Sequence, residues 1–253
     1  MKRLNLKYWI LGSLMAVLFT GCELFGLDYQ EAYDWDSSAG GNNQLGMSGW
    51  EFIQSRTDLF SRFIAAVEYA EIDPELFNQK NITIFALTNQ ACGNNASTSN
   101  SANQFPGGYW YKHPVNGVTP ETWSAYSKET VKQFVLQHIM THAVSYNEFL
   151  SHNGGNRIFY PTMATNGYGY VSMHMPSFDE NQVTGTGTEA VTLYINDFPS
   201  HYMKLNPGAN WSKYISPRTA NLQTSNGSYV HVMDYFLDFP TDGDLALYPI
   251  YGK

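Results

Sequence analysis

The sequence predicts a mixed α+β domain, and three observations carry that prediction. Asn226 to Leu237, NGSYVHVMDYFL, opens on the dipeptide best suited to a tight turn and continues in β-branched and aromatic residues. Asn81 to Asn89, NITIFALTN, is a second short apolar β run ending in small polar residues. Two further stretches carry apolar residues at helical spacing, Phe60, Phe63, Ile64 and Val67 and then Val131, Phe134, Val135, His138 and Ile139.

The N-terminus reads as a targeting segment, residues 1–21, outside the fold. Lys2, Arg3 and Lys7 form a basic start, and Tyr8 to Thr20 is an apolar run of 13 residues, short for a membrane span. It ends in Leu18-Phe19-Thr20-Gly21-Cys22, which resembles a bacterial lipobox, with Cys22 the residue that is acylated. The alternative is an ordinary signal peptide with an incidental cysteine, and the position of Cys22 at the cleavage point favours the lipobox. Cys92 would then have no intramolecular partner, because the chain has two cysteines in all. Removing residues 1–21 takes three of the 14 basic residues and none of the 22 acidic ones. The remaining 232 residues suffice for one large domain, and their net charge of −11 weighs against nucleic-acid binding.

Residues 22–47 read as a flexible tether. Asp28, Glu31, Asp34 and Asp36 make it acidic, and Ser37 to Asn43 has no periodicity. Acidic residues just after a lipidated cysteine resemble the surface-export signal of Bacteroidetes-type lipoproteins. Order is predicted to begin at Ser48, which forms a capping box with Glu51 ahead of the first helix. Asp73-Pro74 opens a short turn, and NITIFALTN follows. Thr119-Pro120-Glu121 reads as the start of the second helix, with proline at its first position. Further strands are expected at Arg157 to Tyr160, Tyr168 to Met175 and Val191 to Asn196. Turn-rich segments lie at Ser151 to Gly155, Thr184 to Thr188 and Asn206 to Asn210. In the strand after Asn226, Val230, Val232 and Phe236 face one way, and Tyr229, His231, Met233, Tyr235 and Leu237 the other. Both faces are largely apolar, so this strand is predicted to lie inside the sheet. Asp234 interrupts it and needs hydrogen-bond donors.

Together these stretches resemble the signature of the fasciclin (FAS1) domain. That family has a first box near T-V-F-A-P-T-N-x-A-F, a central Tyr-His, and a second box of Asn-Gly followed by His-x-Ile-Asp-x-x-Leu. Here the first box runs from Thr83 to Cys92 and includes Thr88 and Asn89, with Leu87 for proline and Cys92 for phenylalanine. The central pair is Gln137-His138. The second box keeps Asn226, Gly227, His231, Asp234 and Leu237, with Met233 for isoleucine. The resemblance implies a β-wedge of two packed sheets with flanking helices over residues 48–240, leaving 241–253 as a C-terminal tail. It gives the box residues structural roles and implies a module that mediates cell and matrix contacts without catalysis or a cofactor.

Residues 93–118 form an insertion that the family lacks. Within it Tyr109, Trp110 and Tyr111 follow a Gly-Gly pair. Read as a strand, successive rings alternate, so at least one would be exposed for stacking or partner contact. The equally weighted alternative is that Trp110 folds back onto the core.

Catalytic signals are weak. His138 and His142 stand at metal-ligand spacing, but Ile139 occupies the place where a zinc protease needs glutamate, and a core role for His138 is the stronger reading. No Gly-x-Ser-x-Gly and no phosphate-binding glycine loop is present. Cys92 reads as a buried small hydrophobe, and Asp197 and Asp234 as turn and strand-end hydrogen-bonders. The function expected is therefore a lipid-anchored adhesion or binding module at the outer membrane of a Gram-negative cell, facing an extracellular protein or glycan. The second reading is a surface glycan-binding accessory protein of a polysaccharide-uptake system.

Overall fold

The computed structural model describes residues 43–97, 107–145, 157–174, 193–196, 198 and 215–252. They form a mixed α+β architecture of two sheets with flanking helices. The expected signal segment, Cys22, most of the tether, Asp197 and the three turn-rich segments lie outside the described residues.

The stretch after Asn226 forms β7 (Tyr229–Met233), and NITIFALTN forms β1 (Thr83–Leu87). They pair in parallel, with Phe85 opposite His231. β2 (Ile139–Met140) closes the far side of β1, and β6 (Thr219–Gln223) pairs antiparallel with β7, giving the order β2-β1-β7-β6. β7 is thus interior, and from Val230 to Met233 every residue is buried, as two apolar faces require. The hairpin from β6 turns through Gly227 at φ +86, a left-handed conformation that glycine adopts without strain.

A second sheet, β3 (Ile158–Pro161), β4 (Tyr170–His174) and β5 (Tyr194–Ile195), is antiparallel throughout. Two backbone bonds tie it to β2, from Thr141 N–H to the Pro161 carbonyl (3.0 Å) and from Met163 N–H to the Ile139 carbonyl (2.8 Å).

The first helical stretch is two helices, α1 (Gly49–Ser55) and α2 (Thr57–Tyr69), with the break at Arg56. The Ser48/Glu51 capping box forms with both of its bonds. Phe60, Phe63, Ala66 and Val67 line the buried face of α2. Asp73 caps a short 3-10 turn at Pro74–Asn78. α3 (Asn89–Cys92) is a single turn after β1.

The next helix does not begin at Pro120. A 3-10 turn occupies Trp123–Ala125, and α5 runs from Lys128 to Gln137. The Ser127 hydroxyl accepts the Thr130 N–H at 3.1 Å, and this cap sets the start. Before it, α4 (Tyr109–Lys112) is a further single turn.

Both ends of the expected domain extend outward. Residues of the expected tether already pair with β6, since Leu45 N–H bonds the Gln223 carbonyl and Gln223 N–H the Asn43 carbonyl, each at 2.8 Å. The expected C-terminal tail contains α6 (Asp242–Leu245), with its own capping box, and then lies along β3. There Phe159 N–H bonds the Pro249 carbonyl (2.9 Å) and Tyr251 N–H bonds the Phe159 carbonyl (2.8 Å). Sheet edges present unpaired backbone groups, and these segments satisfy them. Composition carries no sign of this, because backbone pairing is indifferent to side-chain polarity.

Candidate functional site

The motif boxes meet at the carboxyl ends of β1 and β7. Thr88 and Asp234 are the first residues past the two strands, and the Thr88 hydroxyl donates to Asp234 Oδ1 at 2.9 Å. The Thr88 N–H donates to the Met233 carbonyl at 2.9 Å, so the link runs through backbone and side chain alike. Asp234 is expected to need hydrogen-bond donors at the strand end, and the structure supplies the Thr88 hydroxyl, with Arg218 Nη1 3.7 Å away, because the parallel pairing brings the two strand ends side by side.

Asn89 locks the next turn to α2. Its Oδ1 accepts from Ser61 Oγ (3.1 Å) and Arg62 N–H (2.8 Å), and its Nδ2 donates to the Asp58 carbonyl (3.0 Å). Asn226 does the same for the hairpin, donating to the Asn78 carbonyl at 2.6 Å and accepting the Ser228 N–H at 3.2 Å.

His138 is fully buried at the end of α5. Its Nε2 accepts the Leu237 N–H at 2.8 Å, so the ring proton is on Nδ1 and donates to the Phe134 carbonyl at 2.7 Å. Burial holds the ring neutral by lowering its pKa to about 4. Both nitrogens are engaged, so the His138/His142 pair offers no free lone pair from His138 to a metal, and a core role is what the geometry gives it. Gln137, at the place of the family's tyrosine, is also buried; it donates to the Tyr170 carbonyl (2.8 Å) and accepts from Thr162 Oγ1 (3.1 Å), joining α5 to the second sheet.

His231 stacks on Phe85 with centroids 5.7 Å apart, and its Nδ1 accepts the Asn221 N–H at 3.3 Å. The proton therefore sits on Nε2, which has no partner among the described residues. Burial lowers its pKa to about 3. Cys92 is fully buried, and burial pushes its thiol well above the ordinary range, which suppresses the nucleophilic thiolate.

The aromatic run departs from the strand expectation. Tyr109, Trp110 and Tyr111 form the single turn α4, and a helical turn spreads neighbouring rings over different directions. Tyr109 packs among Phe134 (centroids 4.3 Å), Phe236 (5.4 Å) and Trp123 (5.7 Å). Trp110 is only 4% exposed, edge-on to Trp123 and beneath the Arg62 guanidinium. Tyr111, at 39%, is the one ring of the three presented to solvent. The turn docks closely because residue 108 is glycine, since a Cβ there would lie 2.2 Å from the Gly93 carbonyl oxygen. The three rings are thus no shared platform, and two of them belong to the core.

Sequence reading missed α4 because four residues are too few for periodicity to register. The approach of Tyr168 to Asp242, 74 positions apart, likewise left no local signal, because it depends on the tertiary fold.

No protein-family model and no curated protein matches the chain. Among solved structures it is similar to a FAS1 domain pair from the insect cell adhesion molecule fasciclin I, at 12% identity and a TM-score of 0.39. The match covers 76% of this chain and 46% of that one, so the chain spans less than half the length of that neighbour.

Proposed function

We propose that the chain is a FAS1-type adhesion or binding module that works by surface contact and performs no chemistry. One observation carries this reading. The polar side chains of the boxes, Thr88, Asn89, His138, Asn226 and Asp234, each bond the frame, joining strand end to strand end, turn to helix, hairpin to 3-10 turn, or helix end to the segment after β7. Such residues hold a scaffold in shape, and recognition is left to the outer surface. A lipid on Cys22 would place the module at the outer membrane, with an extracellular protein or glycan as its partner.

Beads coated with the full chain test this. Capture of the beads by immobilised matrix proteins or by cells, with no turnover of chromogenic esters, glycosides or peptides, is the expected result. Turnover abolished by a single substitution would sink the non-catalytic reading. The second reading, a glycan-binding accessory protein of a polysaccharide-uptake system, is favoured by the exposed ring of Tyr168 beside a groove that carries both apolar and polar groups.

A further inference from the structure

A groove of about 310 Å³ opens between the turn leading into β4 and the segment after the second box. It is lined by Asn166, Tyr168, Phe239, Pro240, Thr241 and Asp242. That volume sits at the small end of ligand sites and suits one or two sugar rings.

Both walls are built by local bonds. Gly167 turns the chain at φ +86, and Asn166 Oδ1 accepts the Tyr168 N–H at 3.0 Å. This Asx turn presents the Tyr168 ring, 38% exposed, at the rim. Gln133 anchors the turn to α5, accepting the Thr165 N–H at 2.8 Å and donating to the Thr165 hydroxyl at 2.9 Å. On the other wall Thr241 N–H and Oγ1–H donate to Asp244 Oδ2 at 2.8 and 2.6 Å, fixing the start of α6. Asp242 is the first residue of that helix and exposed, with its carboxylate 3.4 Å from the Tyr168 hydroxyl.

We propose that this groove binds one or two residues of a neutral glycan. The proposal rests on the binding-module reading and adds the ligand class. A pyranose has an apolar C–H face and a rim of hydroxyls. The first matches the flat, exposed Tyr168 ring, with Phe239 in the same lining. The second matches the Asp242 carboxylate as acceptor and the Asn166 Nδ2 as donor, the atom its turn does not use. A purely apolar ligand would cover the Asp242 carboxylate without satisfying it. Uronates, sialylated glycans and phosphates would meet that carboxylate on a chain of net charge −8.

The test is affinity electrophoresis of the full chain in native gels containing amylopectin, xyloglucan, galactomannan or laminarin, with alginate and pectin as acidic counterparts. Tyr168→Ala, Asp242→Asn and Tyr111→Ala are run beside it, with melting temperatures as a check on folding. Expected is retardation in at least one neutral gel, weakened at least tenfold by Tyr168→Ala, several-fold by Asp242→Asn, and unchanged by Tyr111→Ala. Retardation that survives both groove variants, or that is stronger in the acidic gels, overturns the assignment. So does mobility unchanged in every neutral gel; if coated beads still adhere to protein surfaces in that case, the ligand class is wrong and the binding-module reading stands.

Discussion

Replacing His138 tests the central joint of the molecule. In His138→Ala the Leu237 N–H, on a residue 2% exposed, loses its acceptor, and the Phe134 carbonyl loses the ring N–H that caps it. That carbonyl is poorly served otherwise, because the His138 N–H, its usual helical partner, bonds Val135 instead. Stranding a buried backbone group costs about 1–3 kcal/mol. The missing ring also leaves space beside Phe134, whose centroid is 4.9 Å away, and Phe63 at 6.4 Å. A total loss of about 3 kcal/mol follows, or about 6–12 °C in melting temperature for a domain of this size. His138→Gln, whose Oε1 can still accept the Leu237 N–H, should lose less.

Acid adds an independent readout. The folded pKa of His138, about 4, lies below its unfolded value near 6.5, so the unfolded chain binds the proton first as pH falls. The stability is therefore complete above pH 6.5 and lost as pH falls through the folded pKa, at up to about 1.4 kcal/mol per unit. His231, with a folded pKa of about 3, acts in the same direction over a wider window. Urea unfolding at pH 7, 6, 5 and 4 should show a shallower acid slope for His138→Gln than for the unsubstituted protein. Equal slopes, or equal stability at pH 7, would refute the assignment of a buried, neutral, doubly bonded ring.

Three further predictions concern the boxes, the aromatic turn and the N-terminus. A double-mutant cycle on Thr88→Val and Asp234→Ala should return a coupling of about 1 kcal/mol, and strictly additive losses would mean that the bond between the strand ends contributes nothing. Trp110→Ala should cost about 3–5 kcal/mol in chemical denaturation while Tyr111→Ala stays within about 0.5 kcal/mol, and the reverse order would place Trp110 outside the core. If Cys22 carries the proposed lipid, Cys22→Ser should shift the protein from the membrane to the soluble fraction, because the proposed anchor is its acyl chains; an unchanged distribution in detergent partitioning would reject lipidation at Cys22.

What the sequence determined by itself was local. The Ser48/Glu51 box needs atoms three residues apart, the apolar face of α2 recurs within two turns, and the two-sided burial of β7 is written in the apolar residues on both of its faces. Each is settled by neighbours along the chain. The motif residues could also be recognised, although not their partners. Tertiary structure alone decided that Thr88 meets Asp234 across 146 positions and that His138 meets Leu237 across 99, because parallel pairing and helix docking place them with no local signal. It also decided that Tyr109 and Trp110 turn inward, since a single helical turn draws its stability from the surface it docks on. β6 was illegible for a related reason. TANLQ is polar, with Asn221 at φ +60, and it becomes a strand only because β7 on one side and the chain near Gln44 on the other offer backbone partners.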